Sequence, residues 1–105
     1  MLIEEAKLLY HVTVHTDHQA LGFGEQRSRI TADELQRADA VRQEGRLKGF
    51  WVRADLGGVV FIVDEESHEK LMLELQSLPI FPFLRSIDVM PLVAHPRFPE
   101  FGVTR

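Results

Sequence analysis

Between residues 8 and 16 the chain alternates, with Leu8, Tyr10, Val12 and Val14 on one side and Leu9, His11, Thr13 and His15 on the other. A period of two predicts a strand with one apolar and one mixed face. Residues 17–29 carry Asp17, Gly22 and Gly24 among scattered polar groups and read as a loop turning toward a helix. From about Thr31 to Glu44 helix formers accumulate. Thr31-Ala32-Asp33-Glu34 matches a capping box, Ile30 and Leu35 suit a hydrophobic staple, and Gly45 supplies a stop. Leu47–Ala54 is rich in aromatic and β-branched residues, Asp55-Leu56-Gly57-Gly58 is a turn, and Val59–Val63 is apolar throughout, which together predict a hairpin. Ser67 caps a second helix on which Leu71, Met72, Leu75 and Leu78 recur at helical spacing before Pro79 ends it. Ile80-Phe81-Pro82-Phe83 is a stiff connector, and Ile87–Met90 is a last strand that Pro91 places at an edge or a bulge.

The order βαββαβ builds an antiparallel sheet with two helices on one face, the ferredoxin-like α+β arrangement, over residues 1–105 as one domain. One sheet face is left over. A strand apolar on both sides cannot leave its second face in water, so a second copy of the chain is expected to cover it, as in a dimeric α+β barrel. His11, Thr13 and His15 would then line the chamber between sheet and partner, the setting of a small-molecule site. A composition of 45% hydrophobic and 27% charged residues excludes disorder, and a net charge of -4 without a basic run argues against nucleic acid. With no cysteine there is no disulfide and no thiolate chemistry. The acidic start is no signal peptide and no run reaches membrane-spanning length, so a cytoplasmic protein without membrane contact is expected.

Glu34 is the most informative charge, because Ile30, Glu34, Ala38 and Val41 form one line along a helix, while Arg37 and Asp33 point elsewhere, toward solvent. Desolvation would raise its pKa and suit it to take and return a proton near neutral pH. The competing reading makes Glu34 only the N3 member of the capping box, with Thr31 as its N-cap. His11 and His15 stand about 13 Å apart along a strand, too far for one ion, and no metal site is expected. His11 is either a half-buried strand histidine or the wall of a pocket. Trp51 belongs to an aromatic set that is mostly core. Arg53 suits either a substrate carboxylate or an acid across an interface. His95, before Pro96, is either a surface residue or a lid. No Gly-rich phosphate cradle and no Ser-His-Asp signature is present.

Tyr10-His11-Val12, Asp33-Glu34, Gln43-Glu44-Gly45, Trp51, Asp64, Ser67, the run Leu78-Pro79-Ile80-Phe81-Pro82-Phe83 and His95-Pro96 form a pattern that resembles the muconolactone δ-isomerase family from Leu9 to Pro96. The resemblance implies a dimeric α+β barrel, further assembled in the family into a ring-like decamer. It also implies cofactor-free chemistry: a double-bond shift in a small unsaturated lactone of aromatic-compound catabolism. Glu34 stands at the position of the family's proton carrier, and His11, Trp51, Arg53 and His95 become the candidates for substrate contact. The chain departs from the pattern where the family carries His-Tyr-x-Asn, having Leu56-Gly57-Gly58-Val59, and Arg53 lies one place beyond the arginine that follows the family's tryptophan. Two polar groups are thereby lost, and a less polar ligand is expected. Two alternatives remain beside the isomerase: a non-catalytic oligomeric small-molecule-binding protein, and a cofactor-independent monooxygenase on the same barrel.

Overall fold

The computed structural model describes residues 8–102. Four antiparallel strands, β1 (Leu8–Thr16), β2 (Leu47–Val52), β3 (Val59–Glu65) and β4 (Leu84–Leu92), lie in the order β2-β3-β1-β4. Between them come the short α1 (His18–Leu21), the long α2 (Glu25–Gln43) and α3 (His68–Gln76). This is the α+β ferredoxin-like arrangement that the alternation and helix signals predict.

The register assigns the faces. Tyr10 lies opposite Val63 and Val12 opposite Phe61, while Phe50 lies opposite Phe61 across the β2–β3 pair. These residues share the helix-covered face, where Tyr10, Val12, Val14, Val63, Leu71 and Leu75 form the buried core. His11 opposite Ile62 and Met90, and Trp51 opposite Val60, belong to the other face, which no described element covers. Trp51 and Met90 are accordingly 54% and 59% exposed. The Trp51 ring lies across Gly49, whose missing side chain makes the room for it. β4 is an edge strand, so Pro91 costs the sheet no second ladder, as its position predicts.

Two local expectations are corrected. α2 begins at Glu25, with Gly24 as its N-cap, so Thr31 is an interior helical residue and neither the capping box nor the staple exists; Leu35 is 54% exposed. The early turns carry no apolar stripe because their polar side chains serve the preceding helix. The Gln26 amide donates to the carbonyls of Ala20 and Leu21, and Arg27 donates to Gly22 O while its guanidinium covers Phe23. The strand expected at Ile87–Met90 is longer, because Leu84 already pairs with Thr16 past a bulge.

Other local signals act as read. Gly45, with φ +80°, closes α2: its N–H donates to Arg42 O and that of Arg46 to Val41 O, satisfying carbonyls the helix leaves free. The Ser67 hydroxyl accepts from the Lys70 N–H at 3.1 Å and starts α3. Gly58, with φ +150°, lets the hairpin press on β1, where a Cβ would stand 1.9 Å from Val14 O.

Candidate active site

A cleft, about half open to solvent, lies between α2, α3 and the helix-covered face of β2 and β3, with an interior of about 70 Å³. Helix α2 contributes Glu34, Arg37, Ala38 and Val41; the strands contribute Leu47, Phe50, Phe61 and Val63. Leu71, Glu74, Leu75 and Leu78 close the α3 side. The lining is apolar apart from three charged residues. Glu34, Ala38 and Val41 do share one face, as their spacing predicts, and that face looks into the cleft.

Glu34 Oε1 accepts a 2.6 Å hydrogen bond from the Ile80 N–H, which lies in the connector just after Pro79. The carboxyl is therefore a tertiary contact between α2 and the segment after α3, not a cap of its own helix. Burial raises its pKa above the ordinary carboxylate value, against the lowering pull of the Ile80 hydrogen bond and the Arg37 charge, with Asp33 pushing it up again. A group in this condition holds a proton more readily than a surface glutamate does. Oε1 is engaged, which leaves Oε2 as the oxygen able to carry a proton into the cleft.

At the far wall Arg46 gathers three acids: Glu65 at 3.0 Å, Glu74 at 2.8 Å and Glu44 at 2.8 Å. Burial pushes the Glu65 carboxyl up, and its hydrogen bond with Glu74 pushes it further. Burial also pulls Glu74 upward, but the Glu65 and Arg46 hydrogen bonds outweigh it and leave Glu74 below the ordinary range. Glu74 thus meets the cleft as a carboxylate already matched by Arg46.

The other sequence candidates are not brought to this cleft. His11, Trp51 and Arg53 lie on the uncovered sheet face, so within one chain the sheet itself separates them from Glu34. Arg53 donates to His15 Nδ1 at 2.7 Å and to Asp55 at 2.6 Å, while His15 Nε2 donates to Asp88 at 2.8 Å. An arginine donor fixes Nδ1 as the acceptor and hence Nε2 as the protonated nitrogen. Arg53 therefore pairs with one acid, Asp55, and one histidine, His15, of its own chain. His95 is exposed, packs beside Phe98 and accepts at Nδ1 from the Arg97 N–H. Sequence reasoning missed Arg37, which lines the cleft although solvent was expected for it. Its place three residues after Glu34 was the available signal, because positions i and i+3 share a helix face. Among the described residues no three His, Cys, Asp or Glu side chains are grouped to hold a metal ion, and no helix is long and apolar enough to cross a membrane.

A family model described as muconolactone delta-isomerase matches residues 8–97. The chain belongs to the muconolactone delta-isomerase family. The muconolactone delta-isomerase of Acinetobacter baylyi is 31% identical over 72 residues, covering 69% of this chain and 74% of the relative. A crystal structure of muconolactone isomerase superposes with a TM-score of 0.73 at 28% identity, over 84% of this chain and 91% of the other. The family resemblance read from Tyr10-His11-Val12 through His95-Pro96 is therefore shown, and the fold with it. At the place where the chain departs from the muconolactone isomerase pattern, Gly57 and Gly58 lie against β1 and Val59 packs on the core, so this segment presents no polar side chain to the cleft.

Proposed function

We propose that the protein is a cofactor-free isomerase that shifts a carbon–carbon double bond in a small unsaturated lactone, with Glu34 as the proton carrier. One observation carries the reading: a carboxyl with a raised pKa is fixed by the Ile80 N–H inside a largely apolar cleft. Membership of the muconolactone delta-isomerase family supports the choice of reaction. In the proposed step the ionised carboxylate removes a proton from the ring carbon γ to the lactone carbonyl, and the electrons move into a dienolate. The same oxygen returns the proton at the α carbon, so the double bond moves by one position and nothing is oxidised or reduced. A carboxyl held by a helix and a backbone N–H keeps the reach of this transfer constant. The raised pKa makes the carboxyl hold the proton it has taken more readily than a surface glutamate would, which the second half of the step uses.

We infer further that a second copy of the chain covers the sheet face bearing Trp51, Val60, Ile62 and Met90, where Trp51 and Met90 are exposed and Val60 and Ile62 only half-buried in one chain alone. His11 and Trp51 would belong to that interface, and any substrate contact by them would be made across it. The function is tested by mixing the purified protein with muconolactone and following ultraviolet absorbance and the proton spectrum of the product. The expected outcome is a shifted double bond at a rate unchanged by prior dialysis against EDTA. Ligand binding without product would instead favour a binding protein, and oxygen uptake a monooxygenase.

A further inference from the structure

The run Leu78-Pro79-Ile80-Phe81-Pro82-Phe83 spends its backbone donors on its own turns, with one exception. Pro79 and Pro82 have no N–H to give. Leu78 donates to Leu75 O, Phe81 to Leu78 O, Phe83 to Ile80 O and Leu84 to Phe81 O. The Ile80 N–H leaves the turn instead and meets Glu34 Oε1 at 2.6 Å. Just before the run, Ser77 receives the Arg37 guanidinium: Nη2 donates to the hydroxyl at 2.6 Å and Nη1 to the carbonyl at 3.3 Å. The hydroxyl itself donates to Glu74 O at 2.7 Å, which turns its lone pairs toward Arg37. Arg37 stands three residues after Glu34 on the same side of α2. One helix face therefore grips the connector at two points, Ser77 through Arg37 and Ile80 through Glu34, and only Leu78 and the φ-restricted Pro79 lie between them.

We propose that Arg37 and Ser77 are positioning residues for the proton carrier: their clasp fixes the connector so that its one unspent N–H stays on Glu34 Oε1 and Oε2 is left to the cleft. This deepens the isomerase reading and rests on it for the role of Glu34 in turnover, but not for the clasp itself. Burial raises the Glu34 pKa, and the Ile80 hydrogen bond pulls it back down. A loosened connector weakens that pull, so less of the carboxyl is ionised at a given pH and less of it can take a proton. The charges facing Glu34 are Asp33 and Arg37 of α2 and, across the cleft, Glu74 of α3, which Arg46 holds. The strands line the cleft with the uncharged Leu47, Phe50, Phe61 and Val63. The opposing reading makes the clasp a simple staple between α2 and the end of α3, and it predicts a lower melting temperature with no change in the pH dependence.

The test uses the full chain in its native assembly and the variant Ser77→Ala, which removes the hydroxyl acceptor at an exposed position and leaves the Arg37 charge in place. Two quantities are followed against pH: kcat and KM on muconolactone, and the carboxyl-carbon NMR resonance of Glu34, identified by its loss in Glu34→Gln. In Ser77→Ala the carboxyl is expected to titrate at higher pH than in the wild type. The acid limb of the rate profile should move the same way, with kcat on that limb down roughly 10-fold and KM within about threefold. Ser77→Thr, which keeps the hydroxyl, should retain the wild-type titration and profile. Arg37→Met removes the clasp and its charge, and adding Ser77→Ala to it should cost nothing further, because the two residues act as one unit. A Ser77→Ala protein with the wild-type titration and profile overturns the proposal, as do a Ser77→Thr protein that behaves like Ser77→Ala and losses that add in the double variant. The carboxyl titration needs no turnover, so it separates the two readings. An active Glu34→Gln protein, or a wild type that makes no product, removes the isomerase reading and leaves the titration to decide the clasp.

Discussion

A carboxylate in an apolar cleft is costly, and the protein meets that cost at Glu34 with a single backbone N–H rather than with an ion pair. Because the raised pKa means the folded protein binds this proton more tightly than the unfolded chain, folding takes up a proton. The contribution of Glu34 to stability is then complete in acid and is lost as pH rises through the interval between its ordinary and its raised value. Glu34→Gln keeps an oxygen for the Ile80 N–H and does not titrate. Its melting temperature is expected to equal or exceed that of the wild type near neutral pH, with the gap closing in acid; calorimetric scans at several pH values check this, and a variant less stable at neutral pH would contradict it. The stripe Ile30-Glu34-Ala38-Val41 made the direction of this side chain legible. The hydrogen-bond partner was not, since Ile80 is far away in the chain and only the packing of α3 brings it near. Arg37 was misassigned to solvent because a helix face wider than one line of residues also enters the cleft.

Among the elements, α3 and the end of β3 are joined through Arg46, whose side chain is 26% exposed, against a Glu65 that is 7% exposed. Arg46→Leu would leave Glu65 and Glu74 beside each other without their cation. The expected loss is about 2 kcal/mol near neutral pH, below the figure for a fully buried pair because solvent reaches Arg46. Since Glu65 already has a raised pKa and would be raised further, the loss should shrink in acid, where the carboxyls are protonated. Urea unfolding at neutral and acid pH measures both values, and an equal loss at both would refute the electrostatic account. β1, the hairpin, α3 and the Gly45 stop were legible because alternation, turn residues and caps agree locally. The start of α2 was not. Its early turns spend their side chains on the carbonyls of α1 and on Phe23, which leaves no apolar period to read, and Thr31-Ala32-Asp33-Glu34 imitates a helix start inside a helix.

At the scale of the whole molecule the sheet divides two roles, with the cleft on one face and an uncovered apolar surface on the other. Composition and pattern reached that division, for they required a partner over the second face, but the cleft on the helix-covered face was not legible in them. Alternation tells which residues share a face and not which face holds the ligand. If a second copy covers Trp51, Val60, Ile62 and Met90, then Ile62→Glu, which sets a charge in the middle of that surface, should turn the native assembly into monomers in sedimentation velocity runs. A wild-type monomer at micromolar concentration would contradict the interface. The central claim, that Glu34 moves the proton, is tested most directly by the turnover number of Glu34→Gln on muconolactone, with assembly and binding of muconolactone whose ring double bond has been reduced confirmed in the same sample. The account predicts a fall of roughly 100-fold to 10,000-fold with ligand affinity retained, whereas turnover within a few-fold of the wild-type rate would contradict it.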